Sequence, residues 1–294
     1  MFFPGFTTQD FAVNGTTIHA VHGGNRAGGA LLLLHGHPQT HVIWHHIAPQ
    51  LAEKFYVVAT DLRGYGDSAK PAGLPDHSNY SKRMMAQDQA DVMRALGFAQ
   101  FLICAHDRGA RVAHRLCLDH PERIEKAVFL DIAPTLAMYE QTTMEFARAY
   151  WHWFFLIQPA PLPETFLGRD PEFYLRSVMS RGDKGLGTFA PAAFAEYVRC
   201  AKLPGAIHAM CEDYRAAAGI DLEHDRETRA ARDKVECPLR VFWGAEGVIE
   251  RCFKPLSVWE EYAESVGGSA FQSGHYIPEQ VPQILLAQVQ AFFG

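Results

Sequence analysis

The run Phe101-Leu-Ile-Cys-Ala-His106-Asp107-Arg108-Gly109-Ala-Arg111 constrains the fold more than any other part of this chain. An apolar, strand-prone stretch ends in small-x-acid-x-small, and a helical pattern follows. That order fits a sharp strand-to-helix turn, which lifts one side chain out at the top of an α/β sheet. Enzymes built on such an elbow usually place Ser there; this chain places Asp107. A carboxylate can attack carbon and form an ester with it. It suits displacement at saturated carbon, at a carbon–halogen bond or an epoxide, and suits peptide cleavage poorly.

The rest of the chain supports a sheet around that elbow. Strand candidates are Thr17–Val21, Ala30–Leu34, Tyr56–Thr60, Gln100–Ala105, Lys126–Leu130 and Leu239–Trp243, with Ser269–Phe271 a weak last one. Helical patterns over Tyr80–Leu96, Arg108–Asp119, Pro255–Val266 and Val281–Phe293 lie between or after them. Continuous apolar strands alternating with helices predict a mostly parallel sheet covered on both faces. The alternation stops after Asp131. From Thr135 to Lys234 no clean buried strand appears, and aromatics (Tyr139, Tyr150, Trp151, Trp153, Phe154, Phe155) and prolines (159, 161, 163) accumulate. The economical reading is an α/β core of residues 1–134 and 235–294, interrupted by a helical cap at 135–234. Such a cap would roof the elbow and keep bulk water from it.

Composition narrows the class. The 294 residues are 48% hydrophobic, enough for one large domain or a domain with an insertion. Net charge is −6 and no basic run occurs, so nucleic acid is not an expected partner. No apolar run approaches the length needed to span a bilayer, so no membrane partner is expected either. The six cysteines (104, 117, 200, 211, 237, 252) form no Cys-x-x-Cys pair and read as reduced thiols in a cytoplasmic protein. The opening Met-Phe-Phe-Pro-Gly has neither a basic segment nor an apolar one, and no signal peptide is expected.

Further chemistry follows from position relative to the elbow. Strand Ala30–Leu34 runs into His35-Gly36-His37-Pro38-Gln39. In α/β-hydrolases this loop gives one backbone N–H to an oxyanion hole, and the residue after the nucleophile gives the other. Here those amides belong to His37 and Arg108. A bare turn after a strand would look the same without an elbow downstream. The base belongs after the last strand, where Gln272-Ser-Gly-His275 supplies a His in a Gly-flanked loop. The acid that orients it is read as Asp131, closing the strand after the elbow helix. Glu246 and Glu250, after the next-to-last strand, are the fallbacks. Arg108 and Arg111 begin the elbow helix, where a helix N-terminus already favours anions. Two guanidiniums there fit bidentate recognition of a carboxylate. The plainer reading is that they neutralise Asp107 or pair with surface acids. Histidines 35, 37, 41, 45 and 46 cluster without recognised ligand spacing, and no metal is expected.

Taken together, these residues resemble the haloacetate dehalogenases, fluoroacetate dehalogenase among them. The likeness runs over nearly the whole chain: His35-Gly-x-Pro-Gln, Asp61-Leu-Arg-Gly-Tyr-Gly, His106-Asp-Arg-Gly-x-Arg111, Leu130-Asp-Ile-x-Pro-Thr135 and Tyr150-Trp-His-Trp153. Gln158-Pro-Ala-Pro161, Cys211-Glu-Asp-Tyr214-Arg-Ala and Ser273-Gly-His275 continue it. The resemblance implies the α/β-hydrolase fold and hydrolysis of 2-haloacetates, with fluoroacetate or chloroacetate giving glycolate and halide through an ester on Asp107. It makes His275 the base, Asp131 its partner, and Arg108 and Arg111 the carboxylate site. It makes His152, Trp153 and Tyr214 donors to the leaving halide, where spacing alone would read Tyr150–Trp153 as an aromatic core stripe. The implied partners are the haloacid and water, without cofactor or metal, in a homodimer. The chain departs from the family at three places. His37 stands where Phe is usual, Ala105 where Gly is usual, and Ser177–Phe189 lacks a Trp often found there. An epoxide hydrolase of the same fold is the enzymatic rival, with Tyr150 and Tyr214 as ring-opening acids. A catalytically silent carboxylate-binding receptor is the rival of another class.

Overall fold

The computed structural model describes residues 2–180 and 185–294. Its centre is an eight-stranded sheet: β1 Thr7–Val13, β2 Thr16–Gly24, β3 Ala30–Leu34, β4 Tyr56–Thr60, β5 Phe101–His106, β6 Ile124–Leu130, β7 Leu239–Gly244 and β8 Val266–Phe271. The spatial order is β1-β2-β4-β3-β5-β6-β7-β8. The pairs β1/β2 and β2/β4 are antiparallel, and every pair from β4 to β8 is parallel. β3 and β5 are buried along their whole length, as strands covered on both faces must be. The elbow strand β5 is therefore flanked on both sides, and the loops leaving β3, β5, β6, β7 and β8 share one edge. In open parallel sheets that edge is where ligands bind.

Two elements differ from the sequence-based expectation. β1 has no counterpart in it. Four of its first five residues are exposed and none forms an apolar run. It is held instead by a two-residue turn, Asn14-Gly15, with φ of 45° and 70°, which pairs Val13 with Thr16. Asn-Gly between two strands is the strongest local mark of such a hairpin. The helix expected over Pro255–Val266 spans only Pro255–Trp259. Val266 completes its apolar spacing but pairs with Leu239 as the first residue of β8. β8 reads weakly because it contains Gly267-Gly268. Gly268 has φ +156°, and a Cβ there would lie 1.7 Å from the Val241 carbonyl oxygen.

Between β6 and β7 the chain runs through successive helices, from Thr135–Glu140 to Ile220–Ala231, and no strand occurs among the described residues. The helices that bear on the site are Trp151–Leu156, Pro171–Met179 and Ala206–Ala218. They bury Trp153, Tyr174 and Tyr214 over the C-terminal edge of the sheet. No helix among the described residues is long and apolar enough to cross a membrane.

Candidate active site

Asp107 follows β5 directly, with φ 48° and ψ −117°, and helix Arg108–Asp119 begins at the next residue. A non-glycine residue in that region is strained. The strain holds because its neighbours are small. A Cβ on Gly109 would lie 2.3 Å from the His35 carbonyl oxygen, and one on Gly36 would lie 2.4 Å from Asp107 Cβ. Gly109, which ends the small-x-acid-x-small pattern, and Gly36 from the neighbouring loop are thus steric conditions for the turn. Asp107 is buried, and its Oδ1 accepts a hydrogen bond from the His37 amide at 2.9 Å. Burial pushes the carboxyl pKa up, but His275, Arg111 and Arg108 outweigh it and hold the group below the usual carboxylate range.

His275 stands across from it in the loop after β8. Its Nδ1 hydrogen-bonds with Asp131 Oδ2 at 2.5 Å, and its Nε2 faces Asp107 Oδ2 at 3.8 Å. The first contact puts the proton on Nδ1 and leaves the Nε2 lone pair toward Asp107. The second is too long for a hydrogen bond. Asp131 also has positive φ, 52°, and its Oδ1 accepts from the Gly244 amide at 2.9 Å. Both of its oxygens are therefore held. Of the three acids weighed as partner for His275, Asp131 meets it. Glu246 is exposed, and Glu250 accepts from the Trp243 indole N–H.

The two arginines do not pair with surface acids. Arg108 is fully buried and gripped by Asp213: Nε donates to Oδ2 at 2.8 Å, and Nη2 donates to Oδ1 and to the backbone oxygen, each at 2.7 Å. Its remaining terminal nitrogen, Nη1, has no hydrogen-bond partner among the described residues. Arg111 donates through Nη1 to the Ala133 carbonyl at 3.1 Å and to Thr135 Oγ1 at 2.9 Å, while its Nε is unpartnered among the described residues. The guanidinium carbon of Arg108 lies 4.1 Å from the centre of the Tyr214 ring, and that of Arg111 lies 4.7 Å from the Trp153 ring. Each cation is stacked on an aromatic face.

His152, Trp153 and Tyr214 come together above these arginines. The Tyr214 ring centre is 5.9 Å from that of His152 and 6.2 Å from that of Trp153, in edge-on arrangements. All three are buried. Trp153 Nε1 has no hydrogen-bond partner among the described residues. Burial, then the charge of Asp107, pushes the Tyr214 pKa well above the ordinary phenol, so its hydroxyl keeps its proton as a donor. His37 sits among them. Its ring stacks over His152 at 6.0 Å and 10°, and its Nε2 hydrogen-bonds with the Tyr174 hydroxyl at 2.7 Å. Part of Ser177–Phe189, where the extra Trp is lacking, lies outside the described residues.

Three residues that matter here carry no role in the sequence reading. Asp213 is fully buried and also accepts from Lys82 and from the Tyr65 hydroxyl at 2.7 Å. Burial pushes its pKa up, and Arg108 and Lys82 more than reverse this. It lies in the quoted Cys211-Glu-Asp-Tyr motif, but nothing local points from it to Arg108. His106, beside the elbow Asp, hydrogen-bonds through Nε2 with the His275 carbonyl at 2.8 Å. Burial lowers its pKa to about 3, so it is neutral near pH 7 and anchors the His275 loop as a donor. Asp61 accepts from the His41 amide, His41 Nδ1 and the Asp67 amide at 2.7–2.9 Å, which fixes the loop that carries His37.

A sequence-family model of the alpha/beta hydrolase fold matches residues 29–262. Among solved structures, an alpha/beta hydrolase from Nostoc sp. PCC 7120 superposes with a TM-score of 0.96 at 53% identity, covering 99% of each chain. The chain is an α/β hydrolase. A fluoroacetate dehalogenase from a Burkholderia species is 44% identical over 281 residues, 95% of this chain and 91% of that protein. A soluble epoxide hydrolase from Corynebacterium sp. (strain C12) is 34% identical over 98% of this chain and 97% of that protein. Within the α/β hydrolases this chain belongs to the haloacetate dehalogenase family, a group of hydrolases acting on carbon–halide bonds.

Proposed function

We propose that this enzyme hydrolyses 2-haloacetates to glycolate and halide through an ester on Asp107. One observation carries the reading. A strained, ionised carboxylate faces two buried arginines, each with an unmet N–H, beneath an unmet indole N–H. That set fits a small substrate with a carboxylate at one end and a leaving anion at the other.

Arg108 Nη1 and Arg111 Nε take the substrate carboxylate, and their aromatic stacking fixes the planes of both guanidiniums. Asp107 Oδ2 attacks the α-carbon in line with the carbon–halogen bond; that bond breaks and its electron pair leaves with the halide. Tyr214, Trp153 and His152 donate to the departing anion, where charge develops only in the transition state. Asp107 is left as a glycolyl ester. His275 Nε2 then takes a proton from water, which attacks the Asp107 carboxyl carbon, and Asp131 stabilises the imidazolium. The His37 and Arg108 amides stabilise the tetrahedral oxyanion. Its collapse returns the Asp107 carboxyl and expels the glycolate alkoxide, which takes the proton held on His275, while the second proton of the attacking water is lost to solvent. The helices over the site act as the cap that excludes bulk water.

Fluoride-electrode and chloride assays on fluoroacetate and chloroacetate, side by side, test the reading. Release of at least one halide, matched by glycolate, supports it. No halide from fluoroacetate, chloroacetate or bromoacetate would overturn it. Similarity to the epoxide hydrolase favours one rival, with Tyr150 and Tyr214 as ring-opening acids. Diol formation from a neutral epoxide, without halide release from haloacetates, would decide for it.

A further inference from the structure

We propose that His45, His46 and Glu279 form a divalent-metal site of the zinc class, beside the loop that carries His275. One ligand atom from each lies within 4.8 Å of the others. The spacing of the histidines alone holds no ligand pattern, because the third ligand comes from beyond β8.

Two observations point to an ion. Glu279 Oε2 is buried and has no hydrogen-bond partner among the described residues, on a side chain with 0% exposure. A buried carboxylate oxygen left unmet is costly. It lies 3.9 Å from His46 Nε2, too far for a hydrogen bond but close to the roughly 3.3 Å that separates ligands around tetrahedral zinc. The outer contacts are also those that metal ligands use. His45 Nδ1 donates to the Val42 carbonyl at 2.8 Å, which leaves the Nε2 lone pair available. Glu279 Oε1 accepts from the Tyr197 hydroxyl at 2.5 Å, which aims the other oxygen at the histidines. The His46 side chain is 39% exposed, which gives an ion a way in, and water would complete the shell.

Other clusters lack the unmet acceptor. Asp61, beside His19 and His41, already accepts three hydrogen bonds. Glu164 and Glu212 are bridged by Arg215, and Asp67 and Glu196 by Arg199.

The test is calorimetric titration of Zn²⁺ into untagged, chelator-stripped protein at pH 7.5, with the thermal midpoint followed in parallel. One equivalent per chain and a raised midpoint are expected. His46→Gln, at a half-exposed position, should weaken binding at least about ten-fold, as should Glu279→Gln, while His19→Gln leaves it unchanged. Absence of saturable one-equivalent binding, unchanged affinity in His46→Gln, or loss that follows His19 instead would overturn the site. If Glu279→Gln fails to fold, His46→Gln decides.

Discussion

On the core side of the site the reactive groups are already tied down. Asp131 holds His275 Nδ1 and the Gly244 amide, the His37 amide holds Asp107 Oδ1, and His106 holds the His275 carbonyl. Where the inserted helices meet that core, donors stand unmet among the described residues: Arg108 Nη1, Arg111 Nε and Trp153 Nε1. Folding satisfies the first set and leaves the second. The difference suggests a division of labour, with chemistry preorganised by the sheet edge and substrate used to complete the layer beneath the helices. Buried unpaired donors are normally rare. Arg111 and Trp153, which carry two of the three, stack on each other at 4.7 Å, and under the proposed function these donors are binding capacity for the haloacid.

The sharpest way to break this division is to remove the core chemistry while leaving the layer above intact. Asp107→Ala should abolish halide release, by on the order of 10⁴-fold or more, as loss of a covalent nucleophile does. His275→Asn should stop the cycle halfway. Intact-protein mass spectrometry after haloacetate treatment should then show one added carboxymethyl group, mapped to the peptide holding Asp107. Turnover by His275→Asn without any adduct would mean that Asp107 is not alkylated.

Asp213 tests whether the upper layer also needs support from below. It grips Arg108 and Lys82 in the interior, and an Asp213→Asn variant leaves Arg108 without its buried counter-ion and Lys82 with the longer Asp221 contact at 3.5 Å. Breaking a buried pair this way costs about 3–5 kcal/mol, measurable by urea unfolding at pH 7. The pH dependence has a definite sign. The folded-state pKa of Asp213 is depressed, so its contribution is fully present above the unfolded value near about 3.9 and is lost as pH falls below it. The stability gap between wild type and Asp213→Asn should therefore narrow below pH 4. A gap that stays constant from pH 7 to pH 3 would show that shape, not charge, is what Asp213 supplies.

The same two regions differ in how far the sequence reveals them. β3, β4 and helix Arg108–Asp119 have the boundaries expected, because strands covered on both faces must be continuously apolar and the elbow fixes where its helix starts. Asp107, Asp131 and His275 are legible for a related reason: each directly follows a strand or its loop, so chain order alone brings them to one edge. β1 is an exposed edge strand with no apolar signature, and only Asn14-Gly15 betrays it. In the inserted helices no such rule operates. Tyr150–Trp153 reads as a core stripe, and family resemblance alone gives His152 and Trp153 another role. The Asp213–Arg108 pair spans 105 positions and has no local mark.

A milder test discriminates within the upper layer. Fluoride is the poorest leaving group and the strongest hydrogen-bond acceptor of the halides, so donors aimed at it act mostly in the transition state. Tyr214→Phe and Trp153→Phe should each cost about 2–4 kcal/mol in fluoroacetate turnover and much less with bromoacetate. His152→Asn should follow the same order. Equal losses for both substrates, read by fluoride electrode and bromide assay, would make this cluster packing rather than a leaving-group site.

The smallest effect concerns the arginines, and it separates charge from geometry. Arg111→Lys keeps a cation near the Trp153 ring but loses the planar fork and the Nε–H that Arg111 leaves unmet. One charge-assisted hydrogen bond is worth about 1.5–3 kcal/mol, so kcat/KM for chloroacetate should fall roughly ten- to a hundred-fold. Chloroacetamide has the same carbon–chlorine bond but no carboxylate, and it should already be a poor substrate for the wild type. Arg111→Lys should then lower its turnover far less than that of chloroacetate, because the amide never engaged the fork. Comparable wild-type turnover of chloroacetamide and chloroacetate would remove the reason for a buried arginine pair. The unmet donors at the helix–core boundary would then need another explanation.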